Sequence, residues 1–206
     1  MCGRYSLHAH PEVIKLQFRL NALPPLQPRY NIAPAAEVLI VRSEGASPAR
    51  WQLGGRYHNL RADTVTQKPA WREAYRKRRC LMPASGFYEW QQRGARKQPY
   101  YARPAHGELF AMAGLWEGGT CAVITTEANA AMRAVHDRMP VLIAQADYAA
   151  WLSGAEGLLA PAPEGTLVLY PVGEAVNRAA LDSPALIEPL PSGLQPRGVS
   201  GELFGP

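Results

Sequence analysis

Residues 80–125 read CLMPASGFYEWQQRGARKQPYYARPAHGELFAMAGLWEGGTCAVIT. Runs rich in aromatic and aliphatic residues alternate here with clusters that contain Gly, Pro and Ser. This alternation predicts short strands separated by turns. The predicted strands occupy residues 80–82, 87–90, 98–102, 109–116 and 121–125. Outside this stretch, residues 37–42 and 166–172 predict two more strands.

The predicted helices are few and short. Pro11 opens the first helix, in which Ile14 and Phe18 share one face. The others are predicted at residues 68–78, 127–135 and 146–153. This pattern indicates an α+β fold, a β-rich single domain whose strands curl into a barrel-like core flanked by short helices. The Pro/Gly-rich residues 191–206 are predicted to form a C-terminal tail.

The composition of the 206-residue chain suits one globular domain. Its 47% hydrophobic and 19% charged residues exclude a disordered chain. At this length, folding buries roughly 70% of the surface of the extended chain, so a core forms without disulfides. The apolar runs fall far short of the ~20 residues of a membrane-spanning helix. We expect a monomeric, cytoplasmic protein that does not bind membranes.

The cysteine and histidine spacing argues against disulfides and metal. The sequence has three cysteines, Cys2, Cys80 and Cys121. Their number is odd and no two are close in the sequence, which is typical of a protein in a reducing compartment. His8 and His10, without a C-x-x-C motif, are a weak zinc signal, so we expect no metal and no cofactor. The motifs of serine hydrolases, P-loop NTPases, dinucleotide-binding enzymes and zincins are absent from the sequence.

The net charge of +5 is concentrated in the middle of the chain. Residues 56–79 contain eight Lys or Arg and two acidic residues, whereas residues 152–206 contain two Arg and six acidic residues. A basic segment of this kind indicates a polyanionic partner. A solvated helix face explains the same charges, and charge alone slightly favours that explanation.

Cys2 is the most unusual residue, because removal of Met1 would make it the N-terminal residue. Its α-amine would then have a pKa of about 8 and be partly neutral at pH 7. Such an amine attacks an aldehyde to form a Schiff base, and the neighbouring thiol can close a thiazolidine ring. The alternative is a chance residue in a disordered terminus, which position alone favours.

Three polar motifs contain candidate partners for Cys2. Glu89 lies between aromatic residues in GFYEW, where an apolar setting would raise its pKa into the range of a general acid or base; a solvent-facing Glu89 fits the alternation equally well. His136 in VHDRMP can transfer protons, although a lone His is more often structural. In HNLRADT, Asn59 can bind a sugar or oxyanion and Arg61 a phosphate, unless the segment is a simple turn.

Together these motifs resemble those of the SRAP family, the SOS-response-associated peptidases or abasic-site processing proteins. The resemblance covers residues 1–190, which we expect to form a single SRAP domain. Each motif is weak alone, but the ordered set is specific. The set comprises MCGRY (1–5), RYNIAP (29–34), NLRADT (59–64), RCLMPA (79–84), GFYEW (86–90), AGLWE (113–117), TTEAN (125–129), HDRMP (136–140), VN (176–177) and IEP (187–189).

The resemblance implies a protein that binds single-stranded DNA and forms a covalent thiazolidine crosslink with abasic sites, which shields the lesion during the DNA-damage response. Carried over by motif, Cys2 is the nucleophile, Glu89 the acid/base residue, His136 a second catalytic group and Asn59 a positioning group. It also implies that the protein removes its own Met1 and, when bound to DNA, is associated with the nucleoid. Two alternatives remain: a cysteine-dependent peptidase that uses Cys2 and His136, and a non-catalytic module that binds single-stranded DNA.

Basic and aromatic residues around these motifs are candidate DNA contacts, since cations bind phosphates and Trp rings stack on bases. The candidates are Arg4, Arg61, Arg72, Arg76, Lys77, Arg78, Arg138, Trp51 and Trp71. Two departures from the family pattern stand out. The loop before Asn59 is short and lacks a second Trp, and Asp63 replaces a more usual Glu.

Overall fold

Two β-sheets flanked by short helices make up the part of the chain that the computed structural model describes, residues 2–191 and Gly193. The helices are α1 (Pro11–Phe18), α2 (Ala62–Val65), α3 (Pro69–Lys77), α4 (Ala130–Arg133) and α5 (Tyr148–Ser153). The strands are β1 (Arg4–Leu7), β2 (Arg29–Ile32), β3 (Glu37–Arg42), β4 (Gly45–Arg50), β5 (Asn59–Arg61), β6 (Arg79–Ala84), β7 (Gly86–Arg93), β8 (Arg96–Pro104), β9 (Phe110–Glu117), β10 (Thr120–Glu127), β11 (Arg138–Pro140) and β12 (Leu167–Pro171).

One sheet closes on itself and confirms the predicted barrel-like core. Its strands follow the order β10-β4-β3-β6-β9, and β9 pairs again with β10. β5 and β11 pair with the second half of β10. Apolar side chains that are fully buried, such as Leu81, Met82 and Ile124, pack in the core of this sheet. The ends of β5, β10 and β11 therefore meet at one place.

The other sheet has the order β12-β8-β7-β1-β2 and adjoins the barrel where β6 leads into β7. At this corner a side chain on Gly86 would overlap the Tyr101 ring and come within 2.5 Å of the Ala102 carbonyl oxygen, so only glycine fits. β1 runs antiparallel to β7, with Arg4 opposite Tyr88. Because of this register, the residues just before Arg4 approach the part of β7 that carries Glu89.

One predicted helix is shorter in the structure than the sequence indicates. The helix predicted over 127–135 is present but covers only Ala130–Arg133, because β10 continues to Glu127, opposite Arg138, and α4 begins after Asn129, whose Oδ1 accepts from the Met132 N–H. The predicted C-terminal tail lies, apart from residues 191 and 193, outside the described residues. All three cysteines are free and buried. No helix among the described residues is long and apolar enough to cross a membrane.

Candidate active site

Cys2 and Asn59 are joined directly at the start of β1. The Asn59 Nδ2 donates to the Cys2 carbonyl oxygen over 2.7 Å, and this bond fixes the main chain beside the Cys2 nitrogen. Asn59 is held in turn by β5, which runs parallel to β10. Its Oδ1 is buried and accepts no hydrogen bond from the described residues, so a donor on a ligand could bind there.

Glu89 is a buried carboxyl group in the same region. Its side chain is only 1% exposed. Burial raises the pKa of Glu89 from its usual 4.5 to about 7, because the apolar surroundings disfavour the charged form. A carboxyl group with this pKa is divided between its acid and base forms at neutral pH, as proton transfer in both directions requires.

His136 faces Glu89 from the loop between α4 and β11. The His136 Nε2 lies 4.0 Å from the Glu89 Oε2. The Arg138 backbone N–H donates to His136 Nδ1 over 3.1 Å, so the neutral ring carries its proton on Nε2 and directs it towards Glu89. The Asp137 Oδ1, 2.9 Å from Nδ1, would accept a hydrogen bond from the charged ring. Burial lowers the pKa of His136 and favours the neutral ring.

The Cys2 thiol is protonated at neutral pH. Burial raises its pKa well above the ordinary value, and the negative charge of Glu89 raises it further. A thiolate is therefore disfavoured, and the thiol is a weak first nucleophile. Together the four predicted catalytic residues form a site in which a carboxyl group of pKa about 7 accompanies a protonated thiol and a neutral imidazole.

Two candidate DNA-binding arginines are engaged within the fold. The Arg4 Nη1 donates to Asn31 Oδ1 and to the Val176 carbonyl oxygen, each over 2.8 Å. Arg138 is 8% exposed and donates through Nη2 to the backbone oxygen of Thr125. Both side chains lie beside the site, but some of their N–H groups already donate hydrogen bonds within the fold.

Trp51 does not offer a ring face to DNA, which corrects the stacking role predicted for it. The side chain is fully buried, and its Nε1 donates to the His58 carbonyl oxygen over 2.8 Å. The Tyr5 ring packs against it edge to face. Trp71 is half-buried, with the exposed Tyr57 ring 4.9 Å away at its edge, so this pair offers an accessible aromatic surface.

The basic middle of the chain divides into exposed and engaged cations. Arg72, Arg76 and Lys77 are exposed on α3, and Lys77 lies 3.7 Å from Glu73. Arg61 is exposed but pairs with Asp63. Arg78 is partly buried and pairs with Glu73 and Glu117. The basic residues of this segment therefore form a less positive surface than the net charge of the segment indicates, because several of them are paired with acidic side chains.

Sequence reasoning missed a group of residues that line a groove beside Glu89 and His136. Trp90 and Asn177 belong to quoted motifs but were given no role, and Arg96, Lys97 and Glu174 were not singled out. The basic run RGARK at 93–97 was the available signal. Among the described residues, no cluster of three or more His, Cys, Asp or Glu side chains could hold a metal ion.

This β-barrel, with the buried Glu89 carboxyl group facing the half-buried His136 imidazole beside Cys2, defines the class to which the chain belongs. The model of the SOS response associated peptidase (SRAP) family matches residues 1–179. The chain is a member of the SRAP family.

Named relatives and solved structures agree with this assignment. The chain is 32% identical to the abasic site processing protein YoaM of Bacillus subtilis, over 91% of this chain and 98% of that protein. It is 33% identical to the abasic site processing protein HMCES of Gallus gallus, over 66% of this chain and 51% of that protein. A crystal structure of a protein from Bacteroides thetaiotaomicron, 23% identical, shares the fold with a TM-score of 0.78 over 92% of this chain and 100% of that one.

Proposed function

We propose that this protein captures abasic sites in single-stranded DNA by a covalent bond to Cys2, after Met1 has been removed. The convergence of Asn59, Glu89 and His136 on the start of β1 carries the proposal. The names of the relatives, which are abasic site processing proteins, support the choice of substrate. Met1 itself lies outside the described residues.

The first step joins the Cys2 amine to the ring-opened sugar. The neutral amine attacks the C1′ aldehyde and forms a carbinolamine. Protonated Glu89 donates a proton to the departing hydroxyl, water leaves, and an iminium and a Glu89 carboxylate remain. Half of Glu89 carries the required proton at about pH 7, because burial raises its pKa to about 7.

The second step uses the thiol. The sulfur forms a bond to C1′, the iminium π electrons move to nitrogen, and the thiol proton passes to the Glu89 carboxylate. The product is a neutral thiazolidine, and Glu89 is again protonated. Loss of the iminium removes the electron sink that would favour strand cleavage by β-elimination.

Single-stranded DNA suits this site. An abasic nucleotide has no base to read, and an unpaired strand presents it without the unpairing that a duplex requires. The exposed Arg61, Arg72, Arg76 and Lys77 can bind phosphates, with the Trp71 ring nearby.

The buried, protonated thiol favours this chemistry over a cysteine peptidase acting on other proteins. A peptidase of that kind attacks through a thiolate, which an adjacent His⁺ stabilises. Here both burial and Glu89 raise the pKa of the Cys2 thiol. The Cys2 nitrogen is a non-nucleophilic amide until the Met1–Cys2 bond is cut, so this cleavage must come before capture of the aldehyde. We propose that peptidase chemistry is limited to this one bond.

The test is a denaturing gel with an abasic single-stranded oligonucleotide, combined with the intact mass of the protein. Wild type should lack Met1 and give a stable crosslink. Once its intact mass shows that Met1 is absent, Cys2→Ala should give only a weak adduct that borohydride traps, because the amine remains but the ring cannot close. Cys121→Ala removes another buried thiol and should crosslink normally. A stable crosslink from Cys2→Ala at the wild-type yield would refute the proposal.

A further inference from the structure

Gln91 lies on the same face of β7 as Glu89, two residues further along the strand. Its Nε2 donates to the Ala134 carbonyl oxygen over 2.6 Å. Ala134 is the residue at which α4 ends, and it stands two positions before His136. One side chain therefore links the strand that carries Glu89 to the loop that carries His136.

Contacts at both ends of the Gln91 amide fix its orientation. The Arg93 Nε donates to Gln91 Oε1 over 2.6 Å, and the Tyr100 hydroxyl donates to the same oxygen over 3.4 Å. A flipped amide would place its oxygen against the Ala134 carbonyl oxygen and its NH₂ group against Arg93, so one orientation satisfies every partner. Tyr100 is buried and pairs with Glu89 across β7 and β8, which makes this a rigid support.

The loop that carries His136 is also held by hydrogen bonds within residues 128–138. The Ala128 backbone N–H donates to the Asp137 carbonyl oxygen over 2.9 Å, and the Arg138 N–H donates to His136 Nδ1 over 3.1 Å. These bonds shape the loop, whereas Gln91 connects it to β7. An α-helix leaves its last carbonyl groups without partners inside the helix, and Gln91 supplies such a partner at the end of α4.

We propose that Gln91 is a positioning residue, which holds His136 close to the Glu89 carboxyl group by fixing the end of α4. The inference rests on the proposed function, in which Glu89 transfers the protons, and it adds a residue that acts through His136. The distance at stake is the 4.0 Å between His136 Nε2 and Glu89 Oε2. A freed loop lets the ring move away from Glu89, and a misplacement of about 1 Å can cost ~10²-fold in rate.

Gln91→Met tests this link, because methionine matches the length of glutamine and cannot donate to Ala134. Gln92→Met is the matched control, since Gln92 lies on the other face of β7 and donates to the Gly94 carbonyl oxygen. Single-turnover crosslinking to an abasic single strand, at increasing protein concentrations, gives the maximal rate and the half-saturating concentration. Gln91→Met should lower the maximal rate ~10- to 10²-fold and leave the half-saturating concentration unchanged. The control should change neither.

Two further measurements separate positioning from a general loss of structure. The Val135 and His136 amides both donate to the Met132 carbonyl oxygen. Their hydrogen exchange should be faster in Gln91→Met and unchanged in Gln92→Met, because only the first substitution frees the end of α4. In the His136→Ala background, Gln91→Met should change the crosslinking rate less than about twofold, since the ring that it positions is gone.

The inference is refuted if Gln91→Met behaves like Gln92→Met, if its defect lies in the half-saturating concentration, or if the full defect persists in the His136→Ala background. Where His136→Ala is too slow to measure, the exchange data decide, and slow crosslinking by Gln91→Met without faster exchange refutes the inference. Each of these results leaves the proposed function standing. Absence of any crosslink by wild type would instead refute the proposed function, and the exchange data would still report whether Gln91 holds the loop.

Discussion

Replacing Glu89 with Gln separates proton transfer from folding. The change keeps the shape of the side chain and removes its proton, and general acid–base assistance is worth ~10²- to 10⁴-fold in rate. In the proposed mechanism, crosslinking by wild type needs protonated Glu89, with a pKa of about 7, and a neutral α-amine, with a pKa of about 8. It should therefore peak between about pH 7 and 8. Glu89→Gln should lose the alkaline decline and level off above about pH 8, at a much lower rate.

The same substitution should stabilise the fold at alkaline pH. The pKa of Glu89 rises from 4.5 in the unfolded chain to about 7 in the fold. Ionised Glu89 therefore lowers the free energy of unfolding by about 3 kcal/mol, and this loss is the cost of burying the charge. Because the folded pKa is raised, this cost grows as the pH rises from 4.5 and is complete above about 7. Glu89→Gln removes it, so the variant should exceed wild type in unfolding free energy at pH 8 but not at pH 4.

Single-turnover crosslinking between pH 5.5 and 9 and urea unfolding at pH 4 and 8 provide the two measurements. The exposed Glu108→Gln is the matched control and should change neither. Coincident pH–rate profiles for wild type and Glu89→Gln would show that Glu89 is structural. A variant that is less stable than wild type at pH 8 would show that the carboxylate is stabilised in the fold and contradict the raised pKa.

Three other substitutions test single contacts. Asn59→Asp cannot donate to the Cys2 carbonyl oxygen, so the misplaced amine should slow crosslinking up to ~10²-fold in a single-turnover assay, with little change in circular dichroism. Arg79→Ala should destabilise the fold by about 3 kcal/mol in urea, because the buried guanidinium donates to the Tyr75, Trp151 and Ala155 carbonyl oxygens. Gly86→Ala should cost about 1–3 kcal/mol in the same assay, since its methyl group overlaps Tyr101; wild-type stability in either variant would contradict the packing described.

The sequence predicted the elements whose signal is local. The five strands within residues 80–125 and the helices α1 and α3 appear where periodicity and turn residues indicate them. β4 was missed because GASPAR contains Gly45 and Pro48, which weaken any strand signal; it is a strand because it pairs with β3 along its whole length. Closure of the barrel depends on the pairing of β9 and β10 with distant strands, which no local pattern contains.

The residues of the candidate site were identified from sequence motifs, whereas the electrostatic interactions between them could be read only from the structure. Cys2, Glu89 and His136 came from separate motifs, and only the fold shows Glu89 affecting both of the others. The basic segment was misleading in detail: Arg79 lies buried between the rings of Tyr75 and Trp151, where it serves the core. A formal charge count treats such a residue like an exposed one, although burial decides which of them can bind a phosphate.

Burial of the Cys2 thiol gives the two nucleophiles of one residue a fixed order in the proposed chemistry. With its pKa raised, the thiol stays protonated and cannot compete with the amine for the aldehyde. Once the iminium has formed, Glu89 has given up its proton and is the base that the thiol needs. A more exposed thiol would ionise earlier and add reversibly to the aldehyde as a hemithioacetal. The apolar setting that raises both pKa values is therefore the feature that directs the reaction to the thiazolidine.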